Sequence, residues 1–428
     1  MTFYLRYYVR EAMRIAQDNI QKEVLIMPIY VGIDVSKFKH TCCIIDGNGE
    51  VIKKSFDFPN SKEGFDSLIE TFKLINQPES IQIVMEATGH YHECIFRYLV
   101  ANNYQVQIKN PVVIARFKQS EYLDKAKTDN LDALLIAQYA SKHPFSPSML
   151  KSYNIERIRR IARAKYFLYQ DKERAINHLH RYLDESFPEL IPFFRKRGDI
   201  KRYQGRSFFD SNTNLWFLEN FPSAKKFSLA RSETAEKLRR MSKGAFSLVK
   251  FNELRTIAKN SIGVSFVETE TIIVQLVKEL RIIQERNEEL DQQLEPLIDE
   301  TAPNLLTVPG IGYRLAGLLI GEIGDASQFP TADKIVKFAG LDVRVYQSGT
   351  VEKHGAIRKR GSPLLRYALF QAAEKARIHC PELAEFYSKK KDEGKHPICA
   401  LTHTARKILR IVWALLKTGQ NYSQFVSD

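Results

Sequence analysis

The stretch IYVGIDV at residues 29–35 decides the fold of the N-terminal part of this chain, because it is a short run of apolar, mostly β-branched residues bounded by turn signals. Two similar stretches follow it, HTCCIID at 40–46 and VIKKSFDF at 51–58. The Gly47-Asn48-Gly49 step between those two is a strong signal for a hairpin turn. The three stretches therefore predict three antiparallel strands.

Helices and strands alternate after these three stretches. Apolar residues at helical spacing predict a helix over 61–75, and IQIVMEA at 81–87 predicts a buried strand. A helix starting near Tyr91, a strand at YQVQI and a last helix with Thr128 as its N-cap complete the order. This order predicts an α/β sheet of the ribonuclease H type.

Four acidic residues fall at positions where such a sheet would bring them together. Asp34 lies in the first strand and Glu86 at the end of the fourth, while Asp129 and Asp132 are three apart and share one helix face. Carboxylates on apolar strands are costly unless they are paired or bind a metal. The four acids together predict a site for Mg²⁺, or for Mn²⁺, whereas each acid alone is more simply a surface residue.

The positive charge of the chain is concentrated in its middle and C-terminal parts. The 428 residues carry a net charge of +14, and residues 151–260 hold 25 Lys and Arg against 12 Asp and Glu. Basic residues interleaved with aromatic ones are typical of surfaces that bind RNA or single-stranded DNA, although solvated helix faces and core aromatics would also give this composition.

Composition also excludes several classes of protein. Five cysteines without a Cys-x-x-Cys pair predict reduced thiols in a cytoplasmic protein, with neither a disulfide framework nor a zinc site. No apolar run approaches the roughly 20 residues that a membrane span needs, so we expect no membrane association. Residues 1–26 receive no function, and translation starting at Met27 is an alternative.

An apolar heptad over residues 273–294 predicts a coiled coil. Asn287 occupies one position of this heptad as its polar member. Pro296 is expected to end the helix. The segment 261–300 holds 3 basic and 10 acidic residues, so it is not expected to bind DNA. The stripe would pack either on a second copy or back on the same chain. Its apolar members are Ile273, Leu276, Leu280, Ile283, Leu290 and Leu294.

The stretch LLTVPGIGYRLAGLLIGEIG opens the C-terminal part and predicts a helix-hairpin-helix. Pro309, Gly310 and Gly312 would form the turn, where glycines let the backbone approach a DNA phosphate and the next helix offers its amides. The alternative is an ordinary tight turn between two helices. The C-terminal part is otherwise expected to be mainly helical.

The motifs GIDVSK, MEATGHY and KTDNLDA resemble those of the DEDD transposases of the IS110 family, whose N-terminal domain is similar to the Holliday-junction resolvase RuvC. The resemblance makes Asp34, Glu86, Asp129 and Asp132 both catalytic residues and metal ligands. Lys37 and Lys127 lie in the same motifs and are candidate phosphate contacts, although exposed lysines are common.

A second stretch, FAGLDVRVYQSGTVEKHGAIRKRGSPLLRYALFQAA, resembles the other signature domain of this family. By this resemblance Ser348 is the nucleophile that forms a phosphoserine link to DNA, with Ser362 as a rival and His354 as a possible proton carrier. Basic residues following it would contact nucleic acid and neutralise the reacting phosphate. They are Arg358, Lys359, Arg360 and Arg366. Val343, where the family commonly has proline, and the long middle region depart from the pattern.

The resemblance implies a transposase that excises and inserts a mobile element, guided by an RNA and working as a homo-oligomer, a dimer or tetramer with a composite site. The rival functions are a metal-dependent junction endonuclease and a non-catalytic nucleic-acid-binding protein. The predicted organisation is an extension at 1–27, a RuvC-like domain at 28–145, a basic helical region at 146–262, a coiled coil at 263–300 and a C-terminal domain at 301–428.

Overall fold

The structure is a computed structural model that describes residues 28–121, 129–195, 208–348 and 351–423. At Arg195 and in a second hairpin, at 344–348 and 351–356, it describes the backbone alone. The chain divides into two compact units, Met1–Leu150 and Lys151–Asp428. The extension at 1–27, Lys127 and the predicted N-cap Thr128 lie outside the described residues.

A five-stranded sheet forms the centre of the first unit, in the order β3-β2-β1-β4-β5. Its first three strands pair antiparallel in sequence, while β4 pairs parallel with β1 and β5 parallel with β4. The three predicted antiparallel strands and the α/β order that follows them are therefore confirmed, and the mixed sheet is consistent with a ribonuclease H-like start. The strands are β1 Ile29–Val35, β2 Lys39–Ile45, β3 Val51–Pro59, β4 Ile81–Glu86 and β5 Gln105–Lys109.

Helices cover both faces of this sheet. They are α1 Lys62–Lys73, α2 His92–Ala101, α3 Pro111–Glu121 and α4 Asp129–Lys142. Ser61 caps α1 by accepting a hydrogen bond from the amide of Gly64, so the helix predicted over 61–75 is slightly shorter than expected. Helix α3, which was not predicted from the sequence, follows β5 directly and buries Ile114 and Phe117.

The alternation of β1 assigns its side chains to the two faces. Val31 and Ile33 pack with Leu68 of α1 and Ile95 of α2. Gly32 faces α4, and a Cβ at this position would lie 2.2 Å from the carbonyl oxygen of Ala133 and 2.3 Å from the amide nitrogen of Ala137. Only glycine lets the helix backbone lie directly on the strand here, and this contact fixes where α4 begins relative to β1.

Two long helices organise the first part of the second unit. α5 Tyr153–Ser186 and α11 Val267–Thr301 pack against each other, and Ala162, Leu294, Leu297 and Ile298 lie in the same core. Between them in sequence, short helices enclose a second core rich in phenylalanine. These are α6 Leu190–Arg195, α7 Asn212–Asn220, α8 Ala224–Ser228, α9 Ser232–Met241 and α10 Leu248–Lys259.

The apolar stripe of α11 packs within its own chain, which decides between the two partners that the sequence left open. Ile273, Leu280, Ile283 and Leu294 are buried, and Leu276 is partly buried. The expectation that Pro296 ends the helix is wrong, because α11 continues to Thr301. Pro296 is exposed, and the buried side chains of Leu297 and Ile298 after it hold the last turn in place.

The remaining elements form a mainly helical body around one apolar core. They are α12 Tyr313–Ile323, α13 Ala332–Phe338, the hairpin β6 Val343–Ser348 and β7 Val351–Ile357, α14 Pro363–His379, α15 Pro381–Asp392 and α16 Pro397–Thr418. A 3₁₀-helix, Pro303–Thr307, precedes the predicted DNA-binding turn. The helices that the structure describes include none long and apolar enough to cross a membrane.

Candidate nucleic-acid-processing site

The sheet topology brings the four predicted carboxylates to one face of the first unit. The parallel pairing of Ile33 with Met85 puts Asp34 and Glu86 at the next position of two neighbouring strands. Residues two apart in a strand point to the same face of the sheet. Asp34 therefore shares a face with Gly32, which faces α4, and Glu86 shares a face with Val84, which packs with α4. Both acids therefore lie on the face that α4 covers.

Asp129 and Asp132 occupy the first turn of α4 on this same face. The Oγ of Ser55 donates a hydrogen bond of 2.8 Å to the carbonyl of Asn130, which holds this end of the helix near β3. The charge of Asp129 contributes to raising the pKa of Lys39, after the hydrogen bond and charge of Asp57. The start of α4 thus lies towards the end of the sheet where β1 ends and β2 begins.

The four acids share a face but do not form a closed ligand cluster. Among the residues that the structure describes, no three His, Cys, Asp or Glu side chains are grouped closely enough to hold a metal ion. Asp132 instead forms an ion pair with the ammonium of Lys118 on α3. The oxygen donors match the preference of Mg²⁺ for hard ligands, so the donor chemistry fits the predicted ion while the assembled cluster is not observed.

The predicted helix-hairpin-helix takes a different form from the one expected. The amide of Ile311 donates to the carbonyl of Val308 at 3.0 Å, Pro309 stands second and Gly310 has a φ of 95°. These are the features of a type II turn, for which Gly at the third position is required. A 3₁₀-helix, and not an α-helix, leads into this turn, and Gly312 follows it as the exposed N-cap of α12.

The two glycines of the turn have different surroundings. A Cβ at Gly310 would lie 2.9 Å from the amide nitrogen of Ala376, so this residue packs against α14. A Cβ at Gly312 would meet no atom within 4 Å, and no side chain caps α12. The open start of α12 at Gly312, and not Gly310, is therefore the part of the turn that can accept an anion.

Ser348 is the last residue of β6 and pairs with Val351 at the tip of the second hairpin. Val343 pairs with Ile357 at the opposite end, so the basic residues that follow Ile357 lie at the base of the hairpin. At about 3.3 Å per residue, base and tip are about 17 Å apart along the strand. Within one chain the hairpin therefore separates Ser348 from these cations along the strand, and the expectation that they neutralise the phosphate at Ser348 stays a prediction.

The cations at the base belong to one exposed turn, Arg358–Ser362, which we call the basic turn. The amide of Arg358 donates to the carbonyl of Asp342 at 2.9 Å, and its guanidinium pairs with the Asp342 carboxylate at 3.0 Å. The amide of Lys359, whose φ is 56°, donates to the carbonyl of Gly340 at 3.0 Å. The backbone of the basic turn is thus fastened to the segment that follows α13.

Glu322, which was not predicted as a site residue from the sequence, holds the other end of the basic turn. The Glu322 carboxylate accepts two bonds from the guanidinium of Arg163, at 2.7 and 3.1 Å, and a third from the hydroxyl of Ser362 at 2.6 Å. Ser362 in turn accepts from the amide of Leu365 and so caps α14. An acid within the apolar stretch LLIGEIG was the signal that could have revealed this residue.

Burial raises the pKa of Glu322, but the bonds from Arg163 and Ser362 lower it by more, and its pKa lies below the ordinary value. Nearby, burial and the charge of Arg159 lower the pKa of Lys151 to about 8. The amine of Lys151 donates to the carbonyl of Gly321, next to Glu322. This region is therefore a buried, charged junction between α5, α12 and α14.

Two family models match the chain. Residues 31–188 match a model described as a transposase and named for the DEDD enzymes of IS110. Residues 302–388 match a model described as the transposase IS116/IS110/IS902 family. The first match contains Asp34, Glu86, Asp129 and Asp132, and the second contains the turn, Ser348 and the basic turn.

Several curated proteins are similar to the chain over nearly its whole length. The pilin gene-inverting protein of Moraxella bovis is 23% identical, with 93% of this chain and 99% of that protein covered. The insertion element IS110 uncharacterized 43.6 kDa protein of Streptomyces coelicolor is 25% identical, covering 92% and 95%. The mini-circle putative transposase for IS117 from the same species is 22% identical, covering 93% and 96%.

Proposed function

The chain belongs to the IS110/IS116/IS902 family of transposases, and on that premise we propose that it cuts and rejoins DNA through a covalent link to Ser348. One observation carries the proposal: Asp34 and Glu86 lie at matching positions near the ends of neighbouring strands, on the face where Asp129 and Asp132 begin α4. The name of the Moraxella bovis relative, a pilin gene-inverting protein, agrees with this chemistry, since inverting a gene requires broken and rejoined strands.

Asp34, Glu86, Asp129 and Asp132 are the residues that would hold Mg²⁺, or Mn²⁺, in this proposal. A bound divalent ion would supply electrostatic stabilisation of the charge that develops on a reacting phosphate. The four carboxylates would orient and hold that ion. Lys118 would then compete with the ion for the negative charge of Asp132, because the amine pairs with this carboxylate.

Ser348 provides the nucleophile. Its hydroxyl oxygen forms a bond to phosphorus while the bond from phosphorus to one deoxyribose oxygen breaks, and the displaced oxygen takes up a proton. The hydroxyl of another strand end later attacks the phosphoserine, which restores the serine and joins the strands. This order conserves phosphodiester bond energy, so rejoining needs no outside energy source.

The remaining contacts are assigned to nucleic acid binding. The open start of α12 at Gly312 and the cations of the basic turn bind DNA phosphates without reading sequence. Ser348 lies at the hairpin tip, away from those cations, so groups outside this hairpin must complete its site. A composite site in a dimer or tetramer meets that requirement, and the basic region 146–262 is the proposed surface for a guide RNA.

The rival function is a metal-dependent endonuclease in which the carboxylates alone cut DNA, and the shared face of the four acids favours it as the alternative. Ser348→Ala separates the two. We expect this variant to bind a plasmid carrying the element ends but to cut it at least 1,000-fold more slowly, on the order of the loss when a nucleophile is removed.

Ser362→Asn is the matched control for the rival serine. Asparagine retains an acceptor for the cap of α14 and a donor for Glu322 but has no hydroxyl to attack phosphorus. We expect Ser362→Asn to cut the plasmid, which excludes Ser362 as nucleophile. Cutting by Ser348→Ala at the wild-type rate would overturn the serine mechanism and favour the endonuclease.

A further inference from the structure

Glu322 is a buried charge that no step of the proposed reaction uses. Its side chain is 4% exposed, yet it holds three hydrogen bonds from two different elements. One partner, Arg163, lies on α5, and the other, Ser362, lies at the start of α14. A buried carboxylate is costly unless its partners compensate for lost hydration, so the position of Glu322 dictates the positions of both partners.

We propose that Glu322 is a positioning residue that holds the basic turn in the geometry that binds DNA and couples it to α5. This inference rests on the DNA-binding role proposed above for the basic turn. The turn has three exposed cations in a row, Arg358, Lys359 and Arg360, and flexible cations bind phosphate less well than fixed ones because ordering them costs entropy.

Contacts hold the basic turn on two sides, and Glu322 provides the contact on one of them. On one side the turn presses closely on the segment after α13, since a Cβ at Gly361 would lie 2.2 Å from the carbonyl of Phe338. Arg366 supports the same side by donating to the carbonyls of Ala339 and Gly361. On the other side, the bond from Ser362 to Glu322 ties the turn to the buried centre of the unit.

The link to α5 passes through the same carboxylate. Arg163 approaches both oxygens of Glu322, a two-bond arrangement that fixes direction as well as distance. A displacement of α5 at Arg163 therefore pulls on the carboxylate that Ser362 holds. In this way nucleic acid bound along the basic helix α5 would change the placement of the basic turn without touching it.

Substitutions of Ser362 test the inference without deleting the buried charge. Ser362→Asp retains the cap of α14 but cannot donate to Glu322 when ionised and sets a second carboxylate against it. Ser362→Asn retains both the cap and a donor. Ser247 caps α10 in the same manner, so Ser247→Asp makes the same chemical change far along the chain from the turn. Glu322→Gln removes the charge itself.

The first measurement is the rate of trypsin cleavage after Lys359 and Arg360 in the full chain without DNA, followed by mass spectrometry. We expect Ser362→Asp and Glu322→Gln to be cleaved about tenfold faster at these bonds, because the turn is released. Ser362→Asn and Ser247→Asp should match the wild type. Unchanged cleavage in Ser362→Asp would overturn the proposal even if Glu322→Gln fails to fold.

The second measurement is the salt dependence of binding to a short random-sequence DNA duplex. Each phosphate contact contributes about 0.9 to the slope of log affinity against log salt, so Ser362→Asp should lose about 1 from the slope. The double variant Lys359→Ala with Arg360→Ala shows how much of this slope is lost when two cations of the turn are removed. An unchanged slope in that double variant would contradict the DNA-binding role of the turn, while the trypsin result would still decide whether Glu322 fastens it.

Discussion

Lys118 occupies one of the four predicted metal-binding carboxylates with an ion pair. Its ammonium pairs with Asp132, and both side chains are partly exposed, at 27% and 20%. A partly exposed ion pair contributes about 1 kcal/mol. If Asp132 is a metal ligand as proposed, we expect Lys118 to compete with the ion for this carboxylate.

Lys118→Met should therefore bind Mn²⁺ more tightly than the wild type, by about fivefold, since 1.4 kcal/mol corresponds to a factor of ten. Isothermal titration calorimetry of the full chain measures this affinity without any DNA. Lys142→Met is the matched control, because Lys142 pairs with Glu121, which is not one of the four acids. Equal or weaker binding by Lys118→Met would mean that Lys118 does not compete.

Glu322 makes the stability of the second unit depend on pH in a predictable direction. Its pKa in the folded chain lies below the ordinary value of 4.5. The folded state therefore prefers the ionised form, and this stabilisation is present above pH 4.5 and is lost as the pH falls through the folded pKa.

The difference in melting temperature between wild type and Glu322→Gln isolates this contribution. We expect a large difference at neutral pH that narrows as the pH falls below 4.5, because protonated Glu322 resembles glutamine. Thermal unfolding of both proteins across this range gives the difference directly. A difference in melting temperature that stays constant from neutral to acid pH would show that the charge of Glu322 does not contribute to stability.

At the scale of elements, Gly32 determines how closely α4 approaches the sheet. A methyl group there meets backbone atoms of Ala133 and Ala137, and backbone cannot move aside as a flexible side chain can. Gly32→Ala should lower the free energy of unfolding of the first unit by about 3 kcal/mol. It should also weaken Mn²⁺ binding, because Asp129 and Asp132 move with α4.

Chemical denaturation measures the stability loss, and Gly312→Ala serves as its control. Gly312 has a negative φ of −99°, and an added Cβ meets nothing within 4 Å, so its substitution should leave stability nearly unchanged. A Gly32→Ala protein as stable as the Gly312→Ala protein would mean that α4 does not rest on β1 in solution.

The pairing of α5 with α11 contains a buried lysine. Lys165 is 2% exposed and donates to Asn287 at 2.6 Å and to Asp291 at 2.7 Å. Lys165→Met leaves these acceptors without their donor and should cost about 2 kcal/mol. Adding Asn287→Leu should recover part of that loss, which denaturation of the single and double variants would test. Greater stability of Lys165→Met alone would contradict the account.

The sequence predicted the elements whose apolar periodicity is regular and missed those that depend on distant partners. The strands around IYVGIDV and the apolar stripe of α11 were found because alternation and helical spacing are local properties. Pro296 was assigned the wrong effect, since the residues that hold the helix beyond it are defined only by packing. The polar heptad position of Asn287 was recognised from the sequence. Its hydrogen-bond partner Lys165 was not, because Lys165 lies more than a hundred residues away.

The candidate site was predictable in part for the same reason. Motifs located Asp34, Glu86, Asp129 and Asp132, and the topology then placed them on one face. Sequence proximity does not show that the hairpin separates Ser348 from the basic turn within one chain, because the strand register defines that distance. The partners of Glu322 could not be predicted, since neither Arg163 nor Ser362 is near it in sequence.

At the scale of the whole molecule, the two units carry complementary parts of one proposed reaction. The first unit presents the carboxylates, and the second presents Ser348 and the cations for which we propose DNA binding. One family model matches residues 31–188, which include the four acids, and the other matches residues 302–388, which include Ser348 and the basic turn. The central claim is therefore that a serine of the second unit forms the covalent bond to DNA while the acids of the first unit are required for it.

The most direct test is to trap the protein–DNA adduct on a plasmid that carries the element ends, in Mg²⁺, and to map the modified residue by mass spectrometry. We expect a phosphodiester-linked nucleotide on Ser348, lost in Ser348→Ala and strongly reduced in Asp34→Asn. DNA cleaved without any covalent adduct, or an adduct on Ser362, would contradict it.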